Sequence, residues 1–379
     1  MKFVEAPMTS KAHGQPSVGV VRAAGARRVA VRAWGAVTVL GDWDATWAGL
    51  MSGACIEDHA RYPADASSTE SRAGALARRA VAPLGAVALD ADAAVVVGTS
   101  KGSIEGWLEG DVSATGLADV ADSVSRQVGS RGPRLTVCAA CASGLHALIR
   151  AAMMIRSGEA RQALVVAAEA SVHPLFLGSF QRLGVLAQPG DGCRPFDRNR
   201  TGFYMSEAAA AVLLEAEPDG DDCNSPPISV DRFALGADAT HLTGGDPTMP
   251  ALRHLLRRVV DGRPLDLVHA HGTGTPTNDE SELAAIESTL VDQAIPPALY
   301  SHKGALGHSL GAAGLLSVVI NCQSHATGLV PPNVRTLDPL PASRVSLSRE
   351  AVRRPVGRSL AIAAGFGGAL AVVALSNRG

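Results

Sequence analysis

Three short segments of the chain carry residue types that can do chemistry. Thr136–Leu148, TVCAACASGLHAL, holds Cys138 and Cys141. Leu267–Asp279, LVHAHGTGTPTND, holds His269 and His271, and Ser301–Gly314, SHKGALGHSLGAAG, holds Lys303 and His308. Cys138 falls at the end of a strand-like run and is expected to be a small core residue. Cys141 falls where the chain should turn into a helix. There, free backbone N–H groups and the positive end of the helix dipole favour a thiolate over a thiol, and the cysteine's own N–H can face an oxyanion. No G-x-S-x-G elbow occurs, so sulfur is the expected nucleophile.

C-x-x-C also suits a redox pair or half a zinc site, but a second C-x-x-C, a finger-spaced His pair and a thioredoxin-like context are all missing. Strand alternation puts His269 and His271 on one face, as a metal would need. No carboxylate or third histidine at metalloenzyme spacing joins them, so no metal is expected. GTGT at Gly272–Thr275 lacks the G-x-G-x-x-G spacing of a dinucleotide loop. Only Lys2, Lys11, Lys101 and Lys303 are lysines, which makes the last one, five residues before His308, conspicuous.

The elements that must position these residues follow from periodicity. Strands are expected at Arg28–Trp34, Ala93–Gly98, Arg134–Cys138 and Ala163–Ala168, with helices around Trp43–Met51, Ala73–Val81 and Gly144–Arg156. Glu217–Pro227, EPDGDDCNSPP, reads as a link. Strand Ile228–Phe233, helix Met249–Val260, strand Leu267–His271, helix Asp279–Leu290, strand Ala298–Ser301 and a helix from about His308 to Ser324 then repeat the scheme. Leu360–Leu375 reads as two buried strands joined by GFGG rather than as a membrane span. Strands alternating with helices imply mostly parallel sheets covered by helices. The expected organisation is a loose tail over 1–27, a first half over 28–216 and a second half over 217–379.

Composition bounds the function. The 379 residues are 46% hydrophobic with a formal net charge of -2, which argues against a nucleic-acid binder held by phosphate contacts. Six scattered cysteines and an N-terminus without an apolar run suit reduced thiols in the cytoplasm.

Taken together, the motifs resemble the β-ketoacyl-[acyl carrier protein] synthases of the thiolase-like condensing-enzyme superfamily. The matching pieces are RGP at Arg131–Pro133, AACASG around Cys141, RPFDRNRTGF at Arg194–Phe203, HGTGTPTND from His271, KGALGHSLGAAG from Lys303 and GFGG at Gly365–Gly368. The resemblance implies a thiolase-like α/β fold: two pseudo-symmetric βαβ-rich halves in an α-β-α-β-α arrangement. It implies Cys141 as the acyl-accepting nucleophile, and His271 and His308 as donors to the malonyl thioester carbonyl. The oxyanion site would be the N–H groups of Cys141 and Phe366, with Phe366 also the gate to the acyl pocket. Lys303 would support the histidines, paired with Glu282, and Asp279 would be a further support. Thr273, Thr275, Gly365, Gly367 and Gly368 would line the substrate path.

No resident cofactor is implied, since substrates arrive on the phosphopantetheine of an acyl carrier protein. The implied assembly is a homodimer, or a heterodimer with a second synthase-like subunit. Two histidines point to the elongating class, whose reaction is a decarboxylative Claisen condensation in fatty-acid or related acyl-chain synthesis. The pattern departs from the family in a short stretch between Gly98 and Thr136, and in Ala369 and Leu370 after GFGG. These departures leave open a specialised polyketide or unusual-lipid ketosynthase. A non-catalytic partner of the chain-length-factor kind is opposed by the presence of Cys141. Arg253 and Arg257, four apart on one helix, form a candidate basic face for an acidic carrier, though a solvated face accounts for them as well.

Overall fold

The computed structural model describes residues 27–63, 71–87, 89–104, 108, 110, 116–217 and 228–377. All but Arg27 of the expected tail, and all but Glu217 of the expected link, lie outside these residues. Strands β1 (Val29–Thr38), β2 (Ala94–Gly98), β3 (Arg134–Val137), β4 (Gln162–Glu169) and β5 (Ala208–Ala216) form the first half. The second half holds β6 (Ile228–Ala237), β7 (Leu267–His269), β8 (Ala298–Tyr300), β11 (Arg358–Ala364) and β12 (Ala369–Asn377), with β9 (Leu329–Val330) and β10 (Val352–Arg353) paired apart as a ribbon.

Strand order reveals the internal symmetry. The sheet runs β3-β2-β4-β5-β1-β6-β12-β11-β7-β8. In each half the first strand pairs antiparallel with the fifth and the fifth antiparallel with the fourth, while the fourth, second and third run parallel. The two halves join through β1 and β6 at Ala30↔Ser229 and Val31↔Ile228, giving one ten-stranded sheet.

Helices α1 (Trp43–Ser52), α2 (Arg72–Val81), α3 (Asp119–Val128), α4 (Ser143–Ser157), α5 (Pro174–Arg182), α6 (Pro250–Val260), α7 (Asp279–Glu287), α8 (Lys303–Leu306) and α9 (Ala313–Thr327) complete the described elements. The central helices α4 and α9 pack on each other. Each also touches strands of both halves, α4 on β2, β4 and β12, α9 on β5 and β11. Leu145, Leu148, Ile149 and Ile155 of α4, and Leu315, Leu316, Val319 and Ile320 of α9, share one core with the inner faces of the strands. Helices α2 and α3 cover the outer face of the first half, and α6 that of the second. The layers are therefore α-β-α-β-α.

Central helices that are apolar on several sides can approach closely only where side chains are small. They do so at two glycines. A Cβ on Gly144 would stand 2.8 Å from the Leu315 backbone N, and one on Gly314 would stand 3.0 Å from Leu145 Cγ. The contact relates the two halves, since Ser143-Gly144-Leu145 and Ala313-Gly314-Leu315 open α4 and α9 in turn.

Several expectations shift. Helix α9 starts at Ala313 instead of His308, because Leu310, held at φ 42°, and a 3₁₀ turn over Leu310–Ala312 delay it. Strand β7 stops at His269, two residues early. Helices α3 and α5 were not expected. Cys138 is exposed rather than in the core, because β3 is the edge strand of the sheet and the chain leaving it has no neighbour on that side.

Gly144→Ala should destabilise the protein by about 1–3 kcal/mol, because the backbone of α9 blocks the methyl group. Gly178→Ala in α5, where a Cβ meets nothing within 4 Å, should cost nothing. Urea denaturation of both variants checks this, and equal midpoints would contradict the close crossing.

Candidate active site

Cys141 sits two residues before α4, in a turn closed by Ala142 N–H to the Ala139 carbonyl (3.0 Å) and Ser143 N–H to the Ala140 carbonyl (3.2 Å). The Ser143 hydroxyl donates to the Ala140 carbonyl (2.6 Å) and accepts from Ala139 N–H (2.9 Å), which holds Ala140 at φ 47°. The backbone N–H groups of Cys141 and Phe366 donate to no backbone carbonyl of the described residues. Gly365 presses on the same turn, where a Cβ would lie 3.2 Å from Cys141 N and 2.6 Å from the Ala139 carbonyl. Any side chain at 365 would thus displace the GFGG loop. The loop is braced from outside by Gly367 N–H to the Leu242 carbonyl (2.7 Å) and Asp238 N–H to the Gly368 carbonyl (2.9 Å). Gly367 and Gly368 hold φ +82° and +81°, and Asp238 leaves no room for a Cβ at 368.

The Cys141 thiol faces an apolar cluster with Val172, Phe180, Leu186, Phe203 and Leu310, against which half-buried Phe176 and Phe366 also pack. A ladder of rings leads from this cluster to the histidines. Phe366 stacks on Phe180 at 6.0 Å, Phe180 meets Phe203 edge-on at 5.9 Å, Phe203 meets His308 at 4.9 Å, and His308 meets His271 at 5.5 Å. The structure thereby brings Cys141, Phe366, His271 and His308 to one apolar-walled site.

Burial changes the expected electrostatics. The Cys141 thiol is pushed up to about 11 because desolvation outweighs the pull of Lys101 and Lys303. The resting sulfur is therefore a thiol, a correction to the thiolate expected from the helix end. Desolvation, and then the Lys303 charge, hold His271 and His308 well below the usual imidazole range, so both rings are neutral. Neither ring forms a side-chain hydrogen bond with a described residue, and His308 Nδ1 is buried without a partner.

Lys303, 1% exposed, does not pair with Glu282 as expected. Its ammonium donates to the His271 carbonyl. Glu282 instead accepts from His271 N–H (2.7 Å), Gly272 N–H (2.8 Å) and the Asn278 amide (2.9 Å). Both oxygens of that carboxylate are taken by loop donors, so burial lowers the Lys303 pKa below the ordinary lysine value and the Glu282 charge offsets this only in part. Asp279 serves the same loop, accepting from Thr273 N–H (3.0 Å), Gly274 N–H (3.0 Å) and Phe196 N–H (2.7 Å). The hydroxyls of Thr273 and Thr275 lie 2.8 Å apart.

His269 and His271 do not share a face toward one ligand, since the strand ends between them. His269 Nδ1 bonds Asn321 Oδ1 (3.0 Å) and its Nε2 bonds His302 Nδ1 (2.9 Å). The Asn321 amide donates to the Leu360 carbonyl, so its oxygen must accept. Hence His269 carries its proton on Nδ1 and His302 donates from Nδ1. Among the described residues no group of three or more His, Cys, Asp or Glu could hold a metal ion.

Residues 80–220 match the family model for the β-ketoacyl synthase N-terminal domain and residues 230–336 that for the β-ketoacyl synthase C-terminal domain. The chain belongs to the β-ketoacyl synthase family. A putative polyketide β-ketoacyl synthase 1 of Streptomyces halstedii is 32% identical over 271 residues, covering 68% of this chain and 64% of that protein. The 3-oxoacyl-[acyl-carrier-protein] synthase 2 of Coxiella burnetii is 30% identical over 264 residues, covering 67% and 64%. The matches span just under two thirds of these relatives' own length. In fold, the chain is similar to a solved complex of a type II polyketide synthase acyl-carrier protein with its ketosynthase bound to the hexaketide. That match has a TM-score of 0.84 at 21% identity, over 93% of this chain and 100% of the other.

Sequence reasoning missed Glu169, Phe180, His302 and Asn321. Buried Glu169 ends β4 and accepts from Ser100 N–H (2.8 Å), Gly311 N–H (3.2 Å) and the Ser171 hydroxyl (2.7 Å). It ties the turn after β2 and the turn before α9 to the end of β4. A lone acid closing the run ALVVAAE was its signal.

Two measurements check these electrostatics. Iodoacetamide labelling of Cys141 should accelerate about tenfold per pH unit from 7 to 10, because the reactive thiolate grows toward a pKa near 11. A plateau by pH 8 would show that the helix end wins.

Stability should fall as pH drops below 6.5. His269, His271, His302 and His308 have folded-state pKa values depressed by burial, so only the unfolded chain gains their protons. Each contributes a loss of up to about 1.4 kcal/mol per pH unit. Glu282, raised to about 7, binds its proton first in the folded state and offsets one of the four between pH 7 and 4.5. Urea titrations at pH 7 and 5 check the sign, and greater stability at pH 5 would refute it.

Proposed function

We propose that this chain is a β-ketoacyl-[acyl carrier protein] synthase that carries out a decarboxylative Claisen condensation between an acyl group on Cys141 and a malonyl thioester. The observation that carries the reading is the thiol at the head of buried α4, sharing one apolar site with two neutral imidazoles that form no side-chain hydrogen bond with a described residue.

In the first half-reaction the Cys141 sulfur bonds to the acyl carbon and the bond to the pantetheine sulfur breaks. A thiol with pKa near 11 must lose its proton as it attacks, and a neutral imidazole can take that proton and pass it to the leaving thiolate. The tetrahedral oxyanion falls to the N–H groups of Cys141 and Phe366. In the second half-reaction the bond to the malonyl carboxylate breaks, CO2 leaves, and its electron pair becomes an enolate. His271 and His308 donate to that oxygen, whose charge exists only after CO2 departs, so the stabilisation is selective for the transition state. The enolate carbon then attacks the acyl thioester and Cys141 leaves as the thiolate.

Lys303 has a distinct part in this scheme. Burial first, and then its charge, hold both imidazoles neutral, and its bond to the His271 carbonyl fixes the loop. Glu282 and Asp279 hold the same loop by its N–H groups. Thr273, Thr275, Gly365, Gly367 and Gly368 line the path of the pantetheine arm. Phe366, stacked on Phe180, is the movable wall of the acyl site.

The partner is an acyl carrier protein in the cytoplasm, and edge strand β3 is the side available to a second synthase subunit. The halves divide at 216/217. The names of both relatives, a polyketide β-ketoacyl synthase and a 3-oxoacyl-[acyl-carrier-protein] synthase, fit this chemistry.

Intact-mass analysis after incubation with acyl-carrier thioesters should show one acyl adduct, absent in Cys141→Ala. His308→Ala should keep the adduct but lower condensation at least about a hundredfold, as loss of an oxyanion donor does. No adduct on the unaltered protein with any acyl length would overturn the proposal.

A further inference from the structure

Among the described residues, Lys101 is the cation that meets the apolar wall around Cys141. Lys101 lies in the turn after β2, half-buried. Its ammonium stands 5.3 Å from the centre of the Phe176 ring and 3.2 Å from the Ser100 hydroxyl. Phe176 in turn packs on the cluster that holds Cys141, Phe180 and Phe203. Ser100 is anchored by its N–H to Glu169, so the turn carrying Lys101 is fixed to the nucleophile's half. Among the cations near the sulfur, Lys101 acts on it more strongly than Lys303.

An ammonium drawn out of water against an aromatic wall is a poor neighbour for a plain alkyl chain. It is a good one for an oxygen that bears charge or a lone pair. We propose that Lys101 is a specificity-determining residue that selects acyl groups carrying an oxygen function, a carboxylate or keto oxygen, over saturated alkyl chains of the same length. The proposal rests on the ketosynthase reading and names its substrate class. The acyl group bound to Cys141 lies in the space flanked by Phe176, and an oxygen along it replaces the water that the ammonium loses. Burial then makes the contact a charge-assisted hydrogen bond, stronger than the same bond in water.

The test compares acylation of Cys141 by two pantetheine thioesters of equal length, hexanoyl and adipoyl, followed by intact mass. The unaltered protein should take the adipoyl group at least about tenfold faster, the effect of one hydrogen bond to a charged group. Lys101→Met should abolish or invert that ratio, and Lys101→Arg should retain it. A structural role alone would slow both substrates in Lys101→Met without changing their ratio, and that outcome overturns the proposal. So does a preference for hexanoyl in the unaltered protein.

Should neither thioester acylate Cys141, the ketosynthase reading is judged by the full series of acyl lengths, and the lysine is judged by protection instead. Adipate monomethyl ester should then shield Cys141 from iodoacetamide in the unaltered protein but not in Lys101→Met, with methyl hexanoate shielding neither. Equal shielding of the two proteins overturns the role of Lys101 independently of turnover.

Discussion

The site depends on backbone contact between two buried helices. Helices α4 and α9 meet where Gly144 and Gly314 present no side chain, close enough that a Cβ on Gly144 would stand 3.0 Å from Leu315 Cβ. Because the contact involves the first turn of each helix, it fixes the two segments that lead into them. One segment carries Cys141 and the other carries His308. The small residues around both, Ala142 and Ser143 on one side and Gly311 and Ala312 on the other, are what such an approach requires. Glu169 adds a polar tie, since one carboxylate oxygen accepts N–H groups from the turn after β2 and the turn before α9.

Around that crossing the protein buries an unusual amount of polar chemistry. Lys303, Glu282, Asp279, His269 and His302 are each 1% exposed or less. Lys303, Glu282 and Asp279 are tolerated because backbone groups, more than opposite charges, satisfy them, and His269 is satisfied by Asn321 and His302. Glu282 and Asp279 hold the His271–Gly274 loop by its N–H groups, and Lys303 holds it by a carbonyl. The result is a rigid loop beside two imidazoles that burial, and then the Lys303 charge, keep neutral. Replacing the expected Lys303–Glu282 pair with separate backbone anchors gives each group a positioning task. The His269–His302 bond ties the same two segments a second time, one residue pair deeper.

Much of this was legible in the chain. Alternating apolar runs and helical spacing located most strands and the buried helices, because burial imposes periodicity on local sequence. The order of six motifs, from RGP to GFGG, pointed to the β-ketoacyl synthase family. Helices α3 and α5 escaped because their segments are short and mixed in composition, and the start of α9 escaped because the 3₁₀ turn before it has the same small residues as the helix. Exposure of Cys138 could not be read from its neighbours, since it follows from β3 being an edge strand, a property of strand order. The ring ladder from Phe366 through Phe180 and Phe203 to His308 joins residues from four separate segments. No local pattern encodes it.

What the sequence determined by itself was the inventory: a cysteine ahead of a helix, histidines and a lysine at strand ends, and glycines where backbones must approach. Those are statements about single segments, set by side-chain type and spacing. Tertiary structure decided the protonation of that inventory. Burial makes Cys141 a thiol and both active-site imidazoles neutral, and it sends Lys303 to a carbonyl instead of to Glu282. Solvation and charge act through space, between groups that the chain keeps far apart until the two halves close on each other.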